Sequence, residues 1–336
     1  MDTSRIKIKL EEKIKEAKEL SAHHKRELDK DQENFALSLR FNTFRRHIED
    51  LENQLAAHEA FERGWNLLNQ LKLDEAKEAL GISIKLMPSY LGFLHNQLIN
   101  NIRDNNLDLL INAMMFILEL DSNYEIAKKN LVYAFIGKGI EKAKQGNIIY
   151  AISLFQIVPT IINSPEVWSI MAQNLAIAYT DLGKKATQLG DVEQAAVHML
   201  TAYYYLQDKD VKYNASLALG NLALTYLNNY DFNKAIETFE QIELIFGLAQ
   251  ELCSDYAIAL AGVGRTIEGI NILEKLWRNR IALPENIINI VEHNLIIMKQ
   301  QHKFSLESFN KTSSGIADIN SIIIPEYRSE KFAQLV

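Results

Sequence analysis

The sequence predicts an all-α chain made of about six consecutive helix pairs. Two observations carry this. Helix breakers are scarce, with only 5 Pro and 14 Gly in 336 residues, and scarcity over that length favours helix over a turn-rich β fold. A column of helix-facing residues also recurs six times: Ala76, Leu110, Ala151, Ala195, Ala235 and Gly269 each follow a short turn and open an amphipathic run. Four residues on come Leu80, Met114, Phe155, Met199, Phe239 and Leu273, and seven on come Ser83, Ile117, Val158, Ala202, Ile242 and Leu276. Those offsets lie on one face of a helix, and a repeat of this length signals a stacked array.

Residues 1–56 precede the array. Leu10, Ile14, Ala17, Ser21, His24 and Leu28 form one apolar series with helical spacing, and Leu37, Phe41, Phe44, Ile48, Leu51 and Leu55 form another. The phase slips at residues 29–34, which reads either as the turn of a helical hairpin or as one unbroken helix with a shift of register. This extension is read either as a cap over the first repeat or as a coiled-coil module that makes a homodimer through residues 1–56.

Within residues 57–283, each recurring helix is preceded by another, marked by Gly64, Leu98, Val132, Ala176, Ala223 and Ala257. Four of the six markers are Gly or Ala, and small residues let paired helices approach closely. Asn105-Asn106, Gly146-Asn147, Gly190-Asp191, Asn229-Tyr230-Asp231 and Gly264 supply the turns between them. In repeats three and four the turn arrives seven residues beyond Gly139 and Gly183. Seven residues is about two helical turns, so these first helices are expected to run two turns longer than those of repeats five and six.

Asn221-Leu222-Ala223 with Tyr226, Asp231, Ala235 and Phe239, and Pro88 closing repeat one, resemble the tetratricopeptide repeat. The resemblance covers residues 57–283 and implies a right-handed α-solenoid of about six tetratricopeptide-like helix pairs. It also implies that first helices line a concave surface. Applying the helical period to them gives Phe61, Trp65, Leu68 and Asn69 in repeat one and His95, Ile99 and Arg103 in repeat two. Lys129, Tyr133 and Ile136 follow in repeat three, and Gln173, Ile177 and Asp181 in repeat four. Leu217, Leu224, Leu227, Ser254 and Ile258 come from repeats five and six. Such an apolar groove suits a protein or peptide partner. One subclass of the family grips chaperone C-termini with a basic and amide set. Here Phe61, Trp65, Ile99 and Ile126 stand where that set is needed, and only Asn130 remains, so that partner is not expected.

After the array, Pro284-Glu285 opens a helix over residues 284–304 with Ile287, Ile290, Val291, Leu295 and Met298 on its apolar side. Residues 305–336 form a tail, with a linker at residues 311–315 and an apolar Ile322-Ile323-Ile324-Pro325 motif that packs back on the solenoid or docks to a partner.

The chemistry-bearing motifs point away from an enzyme. No phosphate loop and no His-Glu-x-x-His metal motif occur. Gly262-Val263-Gly264 has no preceding strand and falls on an inter-helix turn. His23 and His24 are neighbours on different helix faces, and His47 and His58 are expected to be solvated. Cys253 is the single cysteine, which excludes an intramolecular disulfide and reads as a small buried side chain. No catalytic residues, cofactor or metal site is therefore expected. The net charge of −7 disfavours nucleic acid. Residues 1–10 lack the apolar core of a signal peptide, and no apolar run is long enough to span a bilayer, so the chain reads as cytoplasmic. Function is expected to be that of an adaptor or assembly protein. A peptide-sensing regulator is one alternative, favoured by a groove dense in Asn and charge. An enzyme with its site across the concave face is another, favoured by converging carboxylates.

Overall fold

The protein is described by a computed structural model covering residues 3–102 and 106–311. Every extended element among these residues is a helix. An N-terminal helix α1 (Thr3–Lys30) turns at residues 31–34 into α2 (Phe35–Asn69). The pairs then follow: α2 with α3 (Leu73–Leu86), α4 (Ser89–Asn100) with α5 (Leu107–Leu120), and α6 (Glu125–Lys144) with α7 (Ile148–Ile161). Next come α8 (Pro165–Gln188) with α9 (Val192–Tyr205), α10 (Lys209–Asn228) with α11 (Phe232–Phe246), and α12 (Gln250–Gly262) with α13 (Thr266–Arg278). A 3₁₀ turn (Arg280–Ala282) leads to α14 (Glu285–Lys311). Helix α2 runs unbroken through residue 56, so the first repeat's first helix is also the second arm of the N-terminal hairpin. Helix α14 continues past residue 304. Arg103 and the Ile322-Ile323-Ile324-Pro325 motif lie outside the described residues.

The same turn joins five of the six pairs. Leu71, Gly146, Gly190, Tyr230 and Gly264 all adopt positive φ. In each case the next amide reaches back five residues: Lys72 to Leu67, Asn147 to Lys142, Asp191 to Ala186, Asp231 to Tyr226 and Arg265 to Leu260, all at 2.9–3.0 Å. This is the left-handed helix ending that satisfies otherwise orphaned carbonyls. Glycine takes it without strain, whereas Leu71 and Tyr230 take it against their Cβ atoms. Three of the second helices start on side-chain caps: Asn106 accepts from the Leu109 amide, Asp191 from Gln194 and Asp231 from Lys234. Such a cap contributes about 1 kcal/mol.

From each turn outward, one register holds. Gly64, Leu98, Gly139, Gly183, Ala223 and Ala257 stand twelve residues before the column Ala76, Leu110, Ala151, Ala195, Ala235 and Gly269. A Cβ on Gly139 would lie 2.3 Å from the Phe155 ring, and one on Gly183 2.9 Å from the Met199 side chain. These two glycines, and not Val132 and Ala176, mark the close contact in repeats three and four. The sequence expectation about length needs a matching correction. Helices α6 and α8 have 20 and 24 residues, against 13 in α12, yet α10 also has 20. The extra turns are added at the N-terminal ends of first helices, away from the paired contact, and repeat five carries them too.

The described residues divide into two compact units, one within residues 3–138 with 160–162, the other residues 139–159 with 163–311. In the first, α1 lies along α2 around Ile14, Ala17 and Leu51, and Lys7–Glu59 and Lys18–Glu52 ion pairs of 2.7 Å flank the seam. The main core of this unit joins Phe61, Leu80, Leu94, Met114, Ile117 and Leu131. In the second unit, Phe155, Met171 and Leu175 form one cluster. Phe239, Ile242, Leu252, Leu260 and Leu273 form a larger one, which α14 joins through Ile287, Val291, Leu295 and Met298.

Candidate functional site

In the first unit, α2, α4 and α6 lie side by side because polar and aromatic side chains bridge them. His58 Nδ1 and the Tyr90 hydroxyl share a hydrogen bond of 3.0 Å, and the Phe61 ring lies 5.0 Å from Tyr90 and 5.2 Å from Phe93. One helix further, the Asn130 amide donates to His95 Nε2 at 2.9 Å, and His95 meets the Tyr124 ring edge-on. Burial raises the Tyr90 pKa, with a further push from the Glu62 carboxylate. His58, expected from sequence to be solvated, is 2% exposed. Its bond to Tyr90, thirty-two residues away, is what makes that burial tolerable.

The sequence-selected residues divide by how far they protrude. Phe61 and His95 are buried at 3% and 5% exposure, where they join α2 to α4 and α4 to α6. Trp65, Leu68 and Ile99 are half-buried against the same core, and Trp65 is parallel to Phe61 with centroids 6.4 Å apart. Asn69 and Lys129 are exposed, Tyr133 is 67% exposed, and Ile126 beside it is 52% exposed. Ile136 is buried. In the second unit, α8 presents a row of exposed residues at helical spacing: Ile170, Gln173, Ile177 and Asp181. Leu217, Leu224, Leu227, Ser254 and Ile258 are all buried. Leu224, Leu227 and Ile258 share a cluster with the apolar side of α14, so repeats five and six offer far less open apolar surface than their sequence implies. Tyr90 and Phe93 escaped the sequence reading because they sit off the chosen helical stripe.

The remaining chemistry-bearing residues have structural surroundings. Gly264 occupies a turn at φ +83°, and Gly262 faces the Phe232 ring, where a Cβ would come within 2.6 Å. The Cys253 thiol donates to the Ala249 carbonyl at 3.5 Å, and burial pushes its pKa to about 11. His24 stacks on Phe44. Among the described residues no group of three or more His, Cys, Asp or Glu is placed to hold a metal ion, and no helix is long and apolar enough to cross a membrane.

No protein-family model and no curated protein matches the chain. Among solved structures it is similar to a tetratricopeptide repeat protein from Parabacteroides merdae, at 13% identity and a TM-score of 0.26, over 83% of this chain and 97% of that one. Agreement of that size adds nothing to what the helix pairs themselves say. On its recurring columns, its repeated turn and its paired helices, the chain is, over the described residues, an all-α array of consecutive helix pairs.

Proposed function

We propose that the chain is a protein-interaction module that holds a polypeptide segment against its first helices. One observation carries this reading: α2, α4 and α6 are fastened side by side, yet Trp65, Ile99, Ile126 and Tyr133 keep apolar surface toward solvent. Rigid elements that display aromatic side chains at low ordering cost are what a binding face requires. The row on α8, with Gln173, Ile177 and Asp181, is proposed as a second contact on the same partner or on another. A segment docked on a helical face is read through apolar anchors with polar groups at the rim, and Asn69 and Lys129 are suited to that rim.

The test is capture of partners from the native host, followed by calorimetry with the purified partner. Trp65→Ala and Tyr133→Ala are each expected to weaken binding by about 2 kcal/mol, a common cost at an aromatic hot spot, with helix content unchanged. Both variants folding and binding like the parent would refute the assignment.

A further inference from the structure

A cavity of about 310 Å³ lies in the first unit where α1, α2 and α4 meet. Phe61, Tyr90 and Phe93 form its aromatic wall, with Tyr90 and Phe93 nearly perpendicular at 88°. Ile6 and Met87 add apolar surface, and His58 and Ser89 supply polar groups. Its volume is at the small end of ligand pockets, which suits one ring. Ile6 belongs to α1, which is no part of any repeat, so the cavity is a feature of this chain's N-terminal extension. It is also continuous with the surface described above, because Phe61 both lines it and stacks on Trp65.

We propose that this cavity is a socket for one aromatic side chain of the bound polypeptide. The proposal rests on the interaction reading and deepens it by naming the partner's anchor. Tilted and edge-on ring contacts are arrangements aromatic groups prefer, and Phe93 already stands at such angles to both Phe61 and Tyr90. An entering ring meets faces and edges together. Anchors of this kind, set in a preformed pocket beside a second aromatic contact, dominate binding energies.

Met87 makes the socket directly observable. In the full-length protein labelled at methionine methyls, indole and 4-methylphenol serve as probes of a tryptophan and a tyrosine side chain. Each is expected to shift the Met87 methyl resonance saturably and to leave those of Met199 and Met298 in place. Ser89→Trp, at an exposed position on the cavity's edge, is expected to weaken both probes at least tenfold while circular dichroism stays unchanged. No Met87 shift with either probe, or an unaltered shift in Ser89→Trp, overturns the proposal. So does a Met87 resonance that moves on dilution or on truncation after Lys311, since a second copy or the chain's own tail would then be the occupant. Failure here leaves Tyr133→Ala to decide the broader reading separately.

Discussion

Gly139 sits so close to the Phe155 ring that a methyl group would overlap it, at 2.3 Å from one ring carbon. Gly139→Ala therefore forces α6 and α7 apart or turns the ring off its rotamer, at a cost of about 1–3 kcal/mol. Gly81 provides the contrast, for nothing lies within 4 Å of a Cβ built there. Gly81→Ala in the interior of α3 is expected to stabilise by about 0.5–1 kcal/mol through the unfolded chain's lost freedom. Thermal melts of the two variants should move in opposite directions. At Cys253, burial raises the thiol pKa to about 11, so the reactive thiolate is rare at pH 8. Labelling by iodoacetamide at pH 8 should be far slower in the folded chain than in denaturant, and should accelerate as the pH climbs toward 11. Equal rates folded and unfolded would contradict the burial. Residues are also where the sequence was least legible. Phe61, Trp65 and Leu68 share one helical stripe, and periodicity alone does not tell which turn of α2 abuts α4. His58 looked like an unattached polar residue because its partner, Tyr90, is on another helix.

Helices were legible because their boundaries carry local chemistry. Asn34, Asn106, Ser164, Asp191, Asp208 and Asp231 each cap a helix start through the side chain, and most turns between pairs contain glycine or asparagine. What escaped was register. Seven residues fall only about 20° short of two full turns, so Val132 and Gly139, or Ala176 and Gly183, project from nearly the same face. Only the facing helix distinguishes them, and it selects the glycines. The paired contact at Ala235, fully buried on α11, gives the prediction at this scale. Ala235→Leu is expected to overpack the α10–α11 seam by about 1–3 kcal/mol and to lower amide protection across residues 216–283. Undiminished exchange protection there would show that the seam yields without strain.

For the molecule as a whole, stability is spread over two compact units with separate hydrophobic clusters. In arrays whose pairs touch mainly their neighbours, a local loss is felt most within reach of the lesion. Leu94 in the first unit and Leu252 in the second are both fully buried, and truncating either to Ala should cost about 2–5 kcal/mol. Hydrogen exchange resolved by peptide is expected to place the loss for Leu94→Ala among residues 35–138 and that for Leu252→Ala among residues 209–305. Identical exchange maps for the two would mean that the chain unfolds as one block. The count of pairs was readable at this scale because six recurrences of one column leave little freedom. The cavity between α1, α2 and α4 was not, since no local signal announces that Ile6 and Tyr90 line one space.

The common turn fixes where this chain can grow. Each second helix begins three residues before its column and has 13 to 15 residues, whereas first helices range from 12 in α4 to 35 in α2. Extra sequence placed at Gly146 would carry Phe155 away from Gly139 and unseat the pair. The same sequence placed ahead of Pro165 would only lengthen the free end of α8. Insertions, tags and grafted recognition loops therefore belong at the starts of first helices, and the chain's own unequal helix lengths trace that tolerance.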